Sequence, residues 1–224
     1  MRTRKLAVIL GSALLTSSSL LARQLGVDFS TTDNYDFVPG LFTLGYTFQV
    51  TTPVTVVALA AFDPEPSAFG NVPVALWNNG GSITAFGSSP GSLIASGTIV
   101  GATAPLIGQS SLFSEVSIAP TTLQPGYYTV GAFDPFYAFG GSFFPSLPNL
   151  TIAPGINFVQ DNYSYTGNLS YPSISDQYYY GPGFYGWFGG DVVFGSPAVP
   201  DASSSLLLLS GACLALGALR RKLA

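Results

Sequence analysis

FTLGYTFQV, residues 42–50, alternates without a break. Phe42, Leu44, Tyr46, Phe48 and Val50 fall on one parity, and Thr43, Gly45, Thr47 and Gln49 on the other. A period of two places successive side chains on opposite faces of a strand, so this stretch predicts a half-buried β-strand with a polar outer face. The next run, VTVVALAA at 54–61, is apolar at almost every position and β-branched, as in a strand buried on both faces. Working outward, strands are predicted at 72–77, 93–100, 112–118, 127–133, 156–163 and 184–194, about eight in all. Asn78-Asn79-Gly80-Gly81 reads as the turn after the third of these, and Gln124-Pro125-Gly126 as the turn before Tyr127. Helical periodicity is missing from 24 to 198, and residues 135–155 and 164–183, rich in Gly, Pro, Ser and Tyr, read as long loops. Short strands punctuated by Gly and Pro predict an all-β fold: a single antiparallel β-sandwich, jelly-roll or Ig-like.

Composition narrows the chemistry. Only 8% of the 224 residues are charged and 47% are hydrophobic, enough for one sizeable core. The seven basic residues are Arg2, Arg4, Lys5, Arg23, Arg220, Arg221 and Lys222. Between Gln24 and Val199 there is no Lys, Arg or His, against ten acids: Asp28, Asp33, Asp36, Asp63, Glu65, Glu115, Asp134, Asp161, Asp176 and Asp191. That body has no internal counter-charge and cannot form a side-chain salt bridge with itself. Phosphate contacts need Lys or Arg, so no nucleic-acid partner is expected. The single Cys, Cys213, excludes a disulfide within the chain.

The ends differ from the body. Arg2, Arg4 and Lys5 precede the apolar run 6–15, and small residues follow, which is the order of a secretory signal peptide over 1–23. Ser17–Ser19 suit the cut better than Ala22, which has Leu20 at the −3 position. Residues 203–219 carry no charge and would span about 25 Å as a helix, enough to cross a bilayer. Arg220, Arg221 and Lys222 follow and would hold the tail inside and the body outside. The organisation predicted is thus 1–23 signal helix, 24–198 β-domain, 199–224 membrane-anchoring tail.

The tripeptide before that helix adds specificity. Val199-Pro200-Asp201, then Ala202 and Ser203, then the Leu/Ala/Gly helix, then the basic cluster, resembles the VPDSG-CTERM sorting signal, a relative of PEP-CTERM signals. Ala202 and Ser203 stand where the family has Ser and Gly. The resemblance implies a bacterial protein exported across the inner membrane, anchored there as a precursor, then cut by an exosortase and passed to the cell surface or beyond. Pro200 lacks an amide donor and keeps Val199 extended, a form a processing enzyme can bind. The body also resembles a β-sandwich domain of unknown function found in such exported proteins, over about 41–194. The resemblance rests on TFQVTTPVTVVALAAFD, VPVALWNNGGSITAFG, LIASGTIV, FSEVSIAPTTLQPGYYTVGAF, GINFVQDNYSY and YYYGPGF. It implies no ligand.

Catalytic arrangements that need His, Cys, Lys or Arg are excluded in the body, and no acid pair stands out for glycoside hydrolysis, so no enzyme and no cofactor are expected. Two features carry weaker alternatives. AAFDPEPSAFG (60–70) and GAFDPFYAFG (131–140) echo each other, and Asp63, Glu65 and Asp134 could supply oxygen ligands to Ca²⁺. The plainer reading is that Asp-Pro opens a turn, and it is preferred. YYYGPGFYGWFGG (178–190) is aromatic at seven of 13 positions, and Tyr179, Tyr185 and Trp187 could stack on a neutral polysaccharide. The plainer reading places those rings in the core. Two functions therefore stand side by side: a non-catalytic surface or matrix protein, and a carbohydrate-binding module.

Overall fold

The computed structural model describes residues 23–29, 35–37, 40–64, 70–84, 86–109, 111–133, 137–140, 150–175 and 187–195. Fifteen strands are present there: β1 (Gln24–Leu25), β2 (Val27–Asp28), β3 (Tyr35–Phe37), β4 (Phe42–Val50), β5 (Val54–Phe62), β6 (Asn71–Thr84), β7 (Gly87–Val100), β8 (Leu106–Ile107), β9 (Phe113–Leu123), β10 (Gly126–Phe133), β11 (Tyr137–Gly140), β12 (Thr151–Ile152), β13 (Ile156–Tyr165), β14 (Trp187–Phe188) and β15 (Gly190–Gly195). One 3₁₀ turn, Gly101–Thr103, is the helical exception, so the fold is all-β as expected. Among the described residues no helix is long and apolar enough to cross a membrane. The expected signal helix, apart from Arg23, and the tail 199–224 lie outside the described residues.

Two five-stranded antiparallel sheets carry the fold, in the orders β1-β15-β5-β9-β8 and β13-β4-β10-β6-β7. Both feed one apolar core: Val56, Leu59 and Val193 from the first, Tyr46, Phe48, Val74 and Val130 from the second. Phe29, Phe62 and Phe113 form an aromatic triangle with centroids 5.4–5.6 Å apart, and Phe48 meets Phe194 edge-on at 6.4 Å between the sheets. Each such ring contributes on the order of 2–3 kcal/mol by leaving water. Two smaller ladders, β14-β11-β3 and β12-β2, complete the described strands.

The opening stretch became a central strand. β4 pairs with β10 from Thr43 to Val50 and with β13 along its full length. Tyr46, Phe48 and Val50 enter the core as the alternation predicted. Its other face is not solvated, however: Thr43 and Thr47 are fully buried. The expected turn at Asn78–Gly81 is corrected as well. β6 runs through it and pairs with β7 as far as Thr84↔Gly87, with the register shifting around Asn79. The Asn79 Oδ1 accepts the Gly81 amide at 2.9 Å and Gly81 takes φ +121°, so the Asn-Gly chemistry bends the strand and does not reverse it. The expected loop 135–155 contains β11 and β12, and residues 166–175 of the other expected loop fold back on the second sheet.

Candidate functional site

The buried outer face of β13-β4-β10-β6-β7 is a polar layer. Thr47 Oγ1 lies 2.8 Å from Thr129 Oγ1 and donates to Asn162 Oδ1 at 2.7 Å. Asn162 Nδ2 donates to Ser88 Oγ at 3.2 Å. Tyr171 closes the layer: its hydroxyl is 2.7 Å from Ser88 Oγ, 3.0 Å from Thr129 Oγ1, and accepts from Asn79 Nδ2 at 3.0 Å. All five strands of the sheet thus converge on one hydrogen-bonded cluster under the 168–175 segment. Burial pushes the Tyr171 hydroxyl pKa up, with the Ser88 and Thr129 contacts opposing it, so it stays protonated and can donate.

That covering segment is fastened at both edges of the sheet. Ile174 bridges Tyr163 on β13 and Gly87 on β7. Ser88 N donates to Ser173 O at 3.0 Å, and Ser175 N to Phe86 O at 3.0 Å. Gly87 is required here: its φ is +141°, and a Cβ would come within 1.8 Å of the Ser173 carbonyl oxygen.

Beside this closure lies an open pocket of about 210 Å³, lined by Ser82, Thr84, Phe86, Gly87, Ser88, Ser89 and Ser173. Its lining holds five hydroxyl side chains, one ring and no charge. Phe86 is 63% exposed. Ser88 belongs both to the pocket wall and to the buried layer, which fixes its orientation. Hydroxyls and a ring can hydrogen-bond and stack; no group in the lining can serve as a general base at neutral pH.

The carboxylates lie elsewhere, and they are inside. Asp28, Asp63, Glu115, Asp161 and Asp191 are every body acid whose side chain is described, and all five are buried. Tyr46 Oη donates to Asp191 Oδ1, with amides of Val192 at 2.6 Å and Val27 at 3.1 Å completing its shell. Burial still dominates and pushes the Asp191 pKa up to about 8, against the hydrogen bonds of Tyr46, Val192 and Val27. Burial raises Asp28 likewise, opposed by the Gln109 and Phe29 amides. Glu115 is 4% exposed and accepts from Arg23 Nη1 in an ion pair. Arg23, the residue just before the cation-free body, thus supplies a counter-charge to a buried body carboxylate, and the sequence alone carried no signal of that.

The residues singled out from sequence are distributed as follows. Asp63 is fully buried and accepts from Ser114 Oγ at 2.5 Å, while Glu65 and Asp134 lie outside the described residues. Among the described residues no three metal-ligating side chains cluster. Trp187 is in β14, opposite Gly140 of β11; Tyr179 and Tyr185 lie outside the described residues. So do Val199, Pro200, Asp201, Ala202, Ser203, Arg220, Arg221 and Lys222. The pocket at Ser82–Ser89 and the Tyr171 layer escaped sequence reading, because their residues are the Ser, Thr, Asn and Gly of ordinary turns. No curated protein and no solved structure matches the chain. One family model does, over the segment read above as a sorting signal, and the chain carries the VPDSG-CTERM motif at residues 198–223.

Proposed function

We propose that this chain is an exported bacterial surface or extracellular-matrix protein with a non-catalytic β-sandwich body, held at the inner membrane by the 203–219 helix and then released by an exosortase-type enzyme. The observation that carries this reading is the VPDSG-CTERM motif at 198–223. An extended Val-Pro-Asp segment, an apolar span and a basic stop fit membrane retention followed by cleavage. Intact-mass analysis of the protein recovered from an exosortase-containing host tests it. The mature form should lack the helix from Leu206 onward, and Pro200→Ala should slow the cut by letting the helix extend backward. A mature form that keeps Arg220, Arg221 and Lys222 overturns the reading.

A second reading, binding of a neutral polysaccharide, is favoured by the hydroxyl-lined pocket beside Phe86. An uncharged, polyhydroxylated ligand suits a surface without cations. Affinity electrophoresis through gels holding a neutral polysaccharide is the test, with Phe86→Ala and with alanine at Tyr179, Tyr185 and Trp187. Retardation lost in Phe86→Ala with an unchanged melting curve supports the pocket. Retardation lost only at Tyr179, Tyr185 or Trp187 supports the aromatic 178–190 segment instead. No retardation of the parent removes the reading.

A further inference from the structure

Sheet edges present unpaired amides and carbonyls, and proteins blunt them with short strands, bulges, charge or a covering segment. Three of the four edges of the two main sheets are blunted in this way. β1 and β8 are two residues each, and the stretch of β9 beyond β8 is irregular in register between Ser117 and Thr121 and carries Pro120. β13 is bulged between Phe158 and Gln160 and bridged by Ile174. The fourth edge is β7, 14 residues long and without a charge. Its first residues are fastened by Ser173 and Ile174, and Pro90 protects the next few. From Leu93 to Val100, among the described residues, β7 pairs with β6 alone.

The side chains along this run are self-complementary. Leu93 opposes Trp77 and Ala95 opposes Leu76, so the bulge at Ile94 places Leu93 on the same face as Ser96, Thr98 and Val100. That face is outward: Leu93 is 57% and Val100 56% exposed. The inward face holds Gly97, which packs on Val116, and buried Ile99. Two neighbouring antiparallel strands related by a two-fold axis keep the same face outward. With the axis at Gly97, Ser96 of one copy meets Thr98 of the other, and Leu93 meets Val100. The pairing matches hydroxyl with hydroxyl and apolar with apolar. No charged side chain lies on β7 itself.

We propose that β7 is a docking edge for a second copy of this chain, paired antiparallel about Gly97 to give a two-fold dimer with a continuous ten-stranded sheet. The inference concerns the body and does not depend on how the tail is processed. Copies held in one membrane by the same tail would meet at raised effective concentration.

Cross-linking of the full-length chain in membranes, on a Cys213→Ser background, tests the geometry. Chains carrying Ser96→Cys co-expressed with chains carrying Thr98→Cys should form an interchain disulfide. Ser117→Cys, on an exposed position of β9, should give at least about tenfold less. Ser96→Lys with Thr98→Lys sets like charges opposite each other. It should weaken the detergent-solubilised dimer at least about tenfold by sedimentation, whereas Ser117→Lys with Ala119→Lys should leave it intact. A chain monomeric at all concentrations, a dimer indifferent to the Ser96 and Thr98 lysines, or cross-linking no better than at Ser117 overturns the proposal.

Discussion

Asp191 and Glu115 show how single residues set this body's response to its surroundings. In the folded protein Asp191 keeps its proton up to about pH 8, whereas the unfolded chain releases it near 3.8. Between those values unfolding releases a proton, so stability must fall as pH rises, by at most about 1.4 kcal/mol per unit, and level off above the folded value. Asp28, also raised, acts in the same direction. Urea midpoints at pH 4, 6 and 8 should therefore decrease in that order, and Asp191→Asn should flatten the slope. A midpoint that rises from pH 4 to 8 contradicts the assignment. Glu115 poses the opposite problem, a buried carboxylate with a cation beside it. Arg23→Ala leaves it unpaired and should cost roughly 1–3 kcal/mol, discounted because the Arg23 side chain is 37% exposed. Glu115→Gln in that background should recover most of the loss. Equal stability of Arg23→Ala and the parent would show that the pair is idle. The same contact bears on export: N-terminal sequencing should find Arg23 retained, as a cut among Ser17–Ser19 leaves it and a cut after Arg23 does not.

At the level of elements, the decisive feature is the 168–175 segment laid over the second sheet. It turns a face that alternation would leave wet into a buried polar layer, and its cost in desolvated hydroxyls is offset only if each finds a partner. Tyr171 partners two of them, Ser88 and Thr129, and the Asn79 amide as well. Tyr171→Phe should lower stability by about 1–3 kcal/mol, since Asn79, Ser88 and Thr129 each lose a bond in a site that water reaches poorly. Gly87→Ala should do something different. It forces the backbone away from Ser173, so amide exchange at Ser88 and Ser175 should accelerate while β5 and β15 stay protected. Uniform loss of protection across both sheets would mean that the closure is part of the global core and not a separable lid. The run Asn78–Gly81 teaches a related lesson: its turn chemistry is real, but the chain spends it on a bend inside β6, because pairing with β7 continues on the far side.

For the whole molecule, address and body are separate matters. Neutral substitution of Arg220, Arg221 and Lys222 should impair membrane retention or invert orientation, read by fractionation and protease access, without altering the melting of the β-domain. Unchanged retention and orientation would count against the stop signal. The sequence by itself determined the all-β class, because period-two alternation and Gly/Pro punctuation act through local sterics, and it determined the sorting motif, because that motif is a linear pattern of Val199-Pro200-Asp201, apolar span and basic cluster. It also identified β4, β5, β10 and β13 as strands and the Gln124–Gly126 turn between β9 and β10. Only the tertiary structure decided which polar residues are buried. Thr47, Asn162, Asp191 and Glu115 look like solvent-facing residues in the sequence, and inside they meet partners 82, 115, 145 and 92 residues away, Glu115 through Oε1 alone. Hydrogen bonding over such separations leaves no local periodicity to read, and for the same reason the self-complementary β7 edge becomes visible only once the other main-sheet edges, among the described residues, are seen to be short or irregular.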